Sequence, residues 1–323
     1  MPYQQEYNVA LQAVAHASKL CSQIQDQLLD TETLVKSDQS PVTIADFVSQ
    51  ALIIATLQEH FPDDAVIGEE DSSDLKHPHN APLLETITQW VQKVHPHATS
   101  DDILRWLDLG RPTHAHQRFW TLDPIDGTKG FLAGRQYAVA LALLHEGEIV
   151  VGVLGCPNLP GEGDQRGFLF GTFQGQPARQ IPLHTDSPTT TITVHAPKAL
   201  SQTRFCESVE SGHSNHDHSA QIASRLGITA PPYRIDSQCK YSAVSRGDAS
   251  IYLRLPTKKD YREKIWDHAA GVALVRAAGG RVTDVDGAPL DFTCGHTLEN
   301  NRGVIATCGP IHDEVISAVQ DVL

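Results

Sequence analysis

The segment Trp120-Thr121-Leu122-Asp123-Pro124-Ile125-Asp126-Gly127-Thr128 restricts what this chain can fold into more than any other. A β-like apolar run feeds a tight turn that gathers two carboxylates, a backbone carbonyl and a hydroxyl. Pro124 fixes φ between the acids, and Gly127 permits a reversal that points neighbouring N–H groups at an anion. Acids crowded in this way ask for a divalent metal, and the expected anion is a phosphate.

A chain of 323 residues has room for about two domains. The reading adopted is a metal-binding α+β domain over 1–189, holding the turn and a His-rich insertion at 72–117, and an α/β substrate-specificity domain over 190–323. With 40% hydrophobic and 20% charged residues and no apolar run as long as a membrane span, a soluble protein is expected. The N-terminus, Met1-Pro2-Tyr3-Gln4-Gln5-Glu6, resembles neither a secretory signal nor a transit peptide, so a cytoplasmic location is expected by default. The six cysteines (Cys21, Cys156, Cys206, Cys239, Cys294, Cys308) form no C-x-x-C pair and read as reduced thiols. A net charge of −14 argues against long nucleic acid and anionic membranes, leaving metal-dependent capture of a small anion.

Apolar spacing predicts a helix over 7–29, followed by a polar, turn-prone stretch at 35–42. Thr43 and Asp46 have capping-box spacing ahead of a helical run at 47–59, and 65–69 reads as a short strand ending in Glu69-Glu70-Asp71. In the insertion, a helix is expected at 82–94 among loops rich in His, Pro and Asp. Its pairs His77/His79, His95/His97 and His114/His116 read as solvated loop residues. A hairpin is predicted from 137–144 and 148–154 about His145-Glu146-Gly147, with further strands at 167–172, 178–183 and 190–195. Beyond residue 197 the pattern alternates: helices at 217–226, 267–278 and 311–322, strands at 249–254 and 281–284.

Glu69, Asp123, Asp126 and Asp267 are the candidate metal ligands, with Asp267 read as opening the helix Asp267-His268-Ala269-Ala270-Gly271. If these four meet, they cannot all remain ionised without cations, and hard carboxylate oxygens suit Mg²⁺ better than zinc. Each has an ordinary explanation by itself: Asp126-Gly127 is a common turn, Asp267 a helix-start residue and Asp46 a cap. Their combination in one chain favours the metal.

Glu69-Glu70, the Asp123–Thr128 turn and Trp266-Asp267-x-Ala269-Ala270-Gly271 resemble, in order and spacing, the three signatures of the lithium-sensitive, Mg²⁺-dependent inositol monophosphatase superfamily. Within it, residues 35–46, 155–160, 236–241 and 252–256 resemble the 3′(2′),5′-bisphosphate nucleotidases of yeast and plant type, over nearly the whole chain apart from the His-rich insertion. The resemblance implies an α/β fold built as a layered α-β-α-β-α sandwich of the inositol monophosphatase and fructose-1,6-bisphosphatase type. It implies two or three Mg²⁺ ions, the first held by Glu69, Asp123 and the Ile125 carbonyl, the second by Asp123, Asp126 and Asp267, with Thr128 and Asp46 orienting and deprotonating the attacking water. Glu70 would support the site, and N–H groups about Gly127 and Thr128 would cradle the phosphate being removed. Residues 212–217, Ser237, Lys240 and Arg254 resemble adenosine-phosphate contacts, with His216 against the base and Lys240 and Arg254 on the retained phosphate, whereas His213 reads as solvated.

The implied reaction is hydrolysis of adenosine 3′,5′-bisphosphate to AMP and phosphate, with 3′-phosphoadenylyl sulfate as a second substrate, hence a place in sulfur assimilation. The expected partner is a small nucleotide, the expected state a monomer. The rival within the superfamily is an inositol polyphosphate 1-phosphatase. A carboxylate-metal exonuclease and a catalytically silent nucleotide or cation sensor are weaker, since a basic aromatic groove is lacking and the whole acid set is present.

Overall fold

Val9, Val14, Leu20 and Ile24 line one face of α1 (Gln4–Gln27), as their helical spacing predicts, and are buried with Ala10, Ala13, Ala17 and Cys21. This computed structural model describes residues 1–27, 34–35, 41–111, 117–185, 187–197, 199–209, 216–256, 258 and 260–323, with the backbone alone at 34, 35, 41, 42, 216 and 217. After α1, β1 (Leu34–Val35) pairs antiparallel with β2 (Pro41–Val42), and 36–40 lie outside the described residues. The capping box then starts α2 (Ile44–His60): Asp46 Oδ2 accepts from Thr43 N at 2.8 Å, and Thr43 Oγ1 from Ala45 N at 3.2 Å.

β3 (Ala65–Gly68) leads into the insertion, where the sequence reading needs correction. The expected helix is α3 (Ala81–Val91), but α4 (Ser100–Leu109) occupies what reads as loop. A second capping box, Thr99 with Asp102, starts α4. Ile103 and Leu107 are buried four residues apart with acidic residues on the open faces, so helical spacing is present in a segment whose His-, Pro- and Asp-rich surroundings read as loop. Nor is the insertion a surface excursion: Leu75, Leu83, Ile87, Val91, Ile103 and Leu107 pack into one core with α2.

Next come β4 (Arg118–Asp126), α5 (Thr128–Leu132), β5 (Ala138–His145), β6 (Glu148–Pro160), β7 (Arg166–Phe173), β8 (Arg179–Pro182) and β9 (Thr190–Thr191). Among the described residues they form a sheet with β3 in the order β3-β4-β5-β6-β7-β8-β9, parallel only at β3–β4. The predicted hairpin is β5–β6; the strand expected at 190–195 is only Thr190–Thr191, exposed at the sheet's edge.

The second half holds β10 (Phe205–Glu207), α6 (His216–Arg225), β11 (Tyr233–Arg234), α7 (Cys239–Ser245), β12 (Ile251–Arg254), α8 (Ala269–Ala277), β13 (Arg281–Thr283), β14 (Val304–Thr307) and α9 (His312–Gln320). Its sheet has the order β11-β10-β12-β14-β13, parallel from β11 to β12 and antiparallel beyond. Asp267 does not open α8, as the sequence suggests. It ends a one-turn 3₁₀ helix, Ile265–Asp267, and α8 begins after His268, whose φ of −133° is not helical.

Three hydrophobic clusters define five layers: α1 and α2 on the seven-stranded sheet, α7 and α8 between the sheets, and α6 and α9 outside the five-stranded one. Two glycines of β6 set the spacing. A Cβ on Gly155 would lie 2.0 Å from Ser18 Oγ of α1, and one on Gly152 2.6 Å from Ala273 Cβ of α8, so both helices sit directly on the sheet. This is the layered α/β sandwich expected. No helix among the described residues is long and apolar enough to cross a membrane.

Candidate active site

The β4–β5 ladder breaks its register between Asp123 and Asp126, so Pro124 and Ile125 bulge where the sequence places the turn. Asp123 is 2% exposed, and its Oδ1 has no hydrogen-bond partner among the described residues. Gly127, at φ +91°, ends the bulge, and α5 begins at Thr128, whose Oγ1 donates to the Ile125 carbonyl at 3.3 Å. A Cβ on Gly127 would stand 3.0 Å from Ser237 Cβ, so the loop carrying Ser237 lies against the turn. Ser237 itself takes a left-handed φ of +64°, a conformation a non-glycine residue holds only where its surroundings impose it. The next residue's N–H donates to Asp126 Oδ2 at 2.6 Å.

Other elements converge on this point. The β3–β4 register pairs Gly68 with Leu122, so Glu69 follows β3 at the level where Asp123 follows Leu122. From α2, Ser49 Oγ donates to the Pro124 carbonyl at 3.0 Å, and the buried Gln50 amide both donates to Glu70 O (2.6 Å) and accepts from Glu70 N (2.9 Å). Gln238 Nε2 donates to the Trp266 carbonyl at 2.9 Å and Oε1 accepts from Gly271 N at 3.3 Å, tying the Asp267 turn to the same loop. Ser49, Gln50 and Gln238 are absent from the sequence-derived site. Two polar residues inside the apolar run of α2 were the available signal, since a buried amide needs partners.

The electrostatics agree with this convergence. Burial first, then the charges of Glu69, Asp126, Asp267 and Asp46, push the Asp123 carboxyl well above the usual carboxylate range. Burial, then Asp126 and Glu69, do the same to Asp267. Asp126 is raised by burial, opposed by the Lys240 cation and the Gln238 N–H. Buried acids that repel one another, all offering hard oxygens, with one oxygen unpartnered, fit a divalent cation.

Among the described residues, the three ligand-type atoms that lie within 4.8 Å of one another belong instead to Glu263, Asp267 and His268. Glu263 is already committed: Arg254 Nε donates to it at 3.2 Å, His268 Nε2 stands 3.3 Å away, and His268 Nδ1 meets the Tyr241 hydroxyl at 2.7 Å. This is an ion-pair network behind Asp267 rather than a cation's cage. Burial opposes the Arg254 charge, but Glu263 together with Tyr252, Asp267 and Tyr261 more than offsets it and holds the guanidinium above its ordinary pKa.

Lys240 is 5% exposed, with Nζ donating to Ser208 Oγ at 3.3 Å; burial lowers its pKa, and Asp126 acts in the opposite sense. Asp46 is buried at the start of α2, its Oδ2 accepting from Thr43 Oγ1 at 2.6 Å. The structure thus gathers Asp46, Glu69, Asp123, Ile125, Asp126, Gly127, Thr128, Ser237, Lys240, Arg254 and Asp267 around one region. Residues 210–215, including His213, and the side chain of His216 lie outside the described residues, as do His114 and His116. His77 and His79 stack their rings 5.6 Å apart, and His95 lies 3.5 Å from Glu59.

Residues 3–323 match the model of the inositol monophosphatase family, whose members are generally metal-dependent. The chain is 42% identical to a 3′(2′),5′-bisphosphate nucleotidase of Emericella nidulans, covering 100% of this chain and 99% of that protein, and 42% identical to one of Schizosaccharomyces pombe, covering 98% and 96%. It is 43% identical to one of Oryza sativa over 100% of this chain and 95% of the relative. Among solved structures, it superposes on an IMPase of Thermotoga maritima with a TM-score of 0.67 at 19% identity, covering 99% and 97% of the two chains. An inositol monophosphatase of Anabaena (Nostoc) gives 0.65 at 20% identity, covering 100% and 98%. Sequence match and shared layers lead to one conclusion: this chain belongs to the inositol monophosphatase family.

Proposed function

We propose that this chain is a Mg²⁺-dependent phosphomonoesterase that hydrolyses the 3′-phosphate of adenosine 3′,5′-bisphosphate to give AMP and phosphate, and that it also accepts 3′-phosphoadenylyl sulfate. The observation that carries the chemistry is the buried acid group around Asp123, with one oxygen unpartnered in a cluster of mutually repelling carboxylates. The substrate rests on the names of relatives 42–43% identical over almost the full chain.

Glu69, Asp123, the Ile125 carbonyl, Asp126 and Asp267 hold the metal in this reading. Mg²⁺ bound there supplies Lewis-acid stabilisation of the phosphoryl oxygens and lowers the pKa of water at the site. Thr128 Oγ1 orients the attacking water and takes its proton while passing its own to the Asp46 carboxylate. In-line attack then breaks the bond between phosphorus and the 3′ oxygen, without a covalent enzyme intermediate. In the structure Thr128 Oγ1 donates to the Ile125 carbonyl and Asp46 Oδ2 accepts from Thr43, so the relay requires the Thr128 hydroxyl to turn toward Asp46; it is favoured by the Asp46 charge acting at Asp123 and by Ser49 of the same helix holding the turn that precedes Thr128. N–H groups at Gly127 and Thr128 receive the departing phosphate. Residues 190–323 bring Ser237, Lys240, Arg254 and His216 to the nucleotide, the two cations facing the phosphate that stays and His216 the base.

The test is phosphate release from adenosine 3′,5′-bisphosphate with and without Mg²⁺, in the wild type and in Asp123→Asn. Release should require the metal and fall by about a hundredfold or more in the variant; unchanged release in Asp123→Asn refutes the mechanism. Faster hydrolysis of inositol 1,4-bisphosphate than of the nucleotide would replace the substrate with that of an inositol polyphosphate 1-phosphatase.

A further inference from the structure

The acids assigned to the metal stand on three separate pieces of backbone: the segment after β3, the β4 bulge and the 3₁₀ turn before α8. Carboxylates brought close together from three independent segments repel one another while ionised, and so push those segments apart. Something must hold the backbone in place against that repulsion before any cation arrives. Two buried glutamines are built to do so.

Gln50, fully buried in α2, meets the Glu70 backbone with both ends of its amide, Nε2 to the carbonyl at 2.6 Å and Oε1 from the N–H at 2.9 Å. The residue before Glu70 is Glu69. A Cβ on Gly68 would come within 2.7 Å of the Gln50 amide, so the strand end is stripped of side chain to let the clamp close. Gln238, 2% exposed, does the same for the other acid: Nε2 donates to the Trp266 carbonyl at 2.9 Å, immediately before Asp267, and Oε1 accepts from Gly271 N at 3.3 Å. Its own backbone N–H reaches Asp126 Oδ2 at 2.6 Å. Gln238 therefore spans the β4 bulge and the Asp267 turn with three bonds from one residue.

We infer that Gln50 and Gln238 are positioning residues that preorganise the metal centre, Gln50 through the Glu69–Glu70 backbone and Gln238 through Asp126 and the Trp266–Asp267 backbone. A neutral amide suits this task. It offers a donor and an acceptor together, matching a peptide unit at both ends, and adds no charge to a region already crowded with carboxylates. A buried amide with both ends satisfied also resists rotation, so it transmits position rather than merely filling space. Outer-shell partners of this kind typically contribute ten- to a hundredfold in metal affinity.

This inference rests on the metal-centre reading above, and the test separates the two. Mg²⁺ binding to the substrate-free protein is measured by calorimetry, beside thermal denaturation, for the wild type, Gln50→Met, Gln238→Met and Gln238→Asn. Gln92→Met serves as control: Gln92 Nε2 bonds the Ala98 carbonyl at 2.8 Å between α3 and α4, in the insertion. Methionine keeps length and volume while removing both hydrogen-bonding ends, and Gln238→Asn keeps the amide but withdraws it by one methylene. The Gln50 and Gln238 variants should weaken Mg²⁺ binding about tenfold or more, whereas Gln92→Met, at an exposed residue remote from the acids, keeps the wild-type Mg²⁺ dissociation constant. If the variants fold and bind Mg²⁺ as the wild type does, or weaken it no more than Gln92→Met, the positioning role is overturned while the proposed function stands. If the wild type itself binds no Mg²⁺, both fall together.

Discussion

Replacing Gly271 by alanine sets two effects of opposite sign against each other. Gly271 lies within α8, and on helix propensity alone the change stabilises by about 1 kcal/mol. The structure predicts the reverse. An added Cβ would lie 2.2, 2.3 and 2.8 Å from ring and Cβ atoms of Tyr241, the shortest about 1.3 Å inside ordinary carbon–carbon contact. The ring cannot swing aside: Tyr241 is fully buried, packs edge-on against Tyr252 at 5.0 Å and bonds His268 through its hydroxyl at 2.7 Å. Overpacking of a closed core costs about 1–3 kcal/mol, and loss of the Tyr241–His268 bond adds about 1–3 kcal/mol if its partners stay buried. The net expectation is destabilisation by about 3 kcal/mol, a fall in melting temperature of roughly 4 °C for a chain this long. Urea denaturation of Gly271→Ala against wild type measures it. Equal or greater stability in the variant would show that α8 and Tyr241 are not packed as described. Because Gly271 N also bonds Gln238, the displacement should weaken Mg²⁺ binding in the same variant.

Two further outcomes follow from buried groups. Glu263→Ala leaves Arg254 and His268 without their shared carboxylate and should cost about 3–5 kcal/mol in urea denaturation; a loss below about 1 kcal/mol would mean the network is open to solvent. His312 sits buried between the hydroxyls of Thr283 and Thr307, each 2.9 Å away, and burial, then the Arg281 cation, lowers its pKa to about 4. The unfolded chain takes up that proton near its ordinary value of 6.5 while the folded protein does not, so stability falls as pH drops from about 6.5 to 4. His312→Gln should flatten that part of the stability-against-pH curve, and an unchanged slope would refute the assignment.

The elements legible in the sequence are those whose signal is local. α1, α3, β5, β6 and β7 are long enough for a periodic pattern to show, and the capping box at Thr43 marks the start of α2 where it occurs. β10, β11 and β14 are two to four residues long, too short for any period, and exist because neighbouring strands pair with them. α4 carries only two buried apolar residues and depends on α2 to cover them. Asp267 reads as a helix-start residue because Asp commonly is one; here the chain winds one tighter turn first, and the Trp266 carbonyl is taken up by Gln238.

The sequence by itself determined the chemistry available: a proline-pinned acidic turn, further acids at Glu69 and Asp267, and a hydroxyl at Thr128, in an order that resembles one superfamily. Side-chain type is local, so such a set can be read along the chain. Tertiary structure alone decided which acids meet, because β3–β4 register, the bulge at Asp123–Asp126 and the 3₁₀ turn bring together residues more than a hundred positions apart. It also decided which side chains hold them there. Gln50 shows in the sequence only as a polar residue within an apolar run, and the roles of Gln50 and Gln238 emerge when burial leaves their amides with the backbone beside Glu69 and Asp267 as partners.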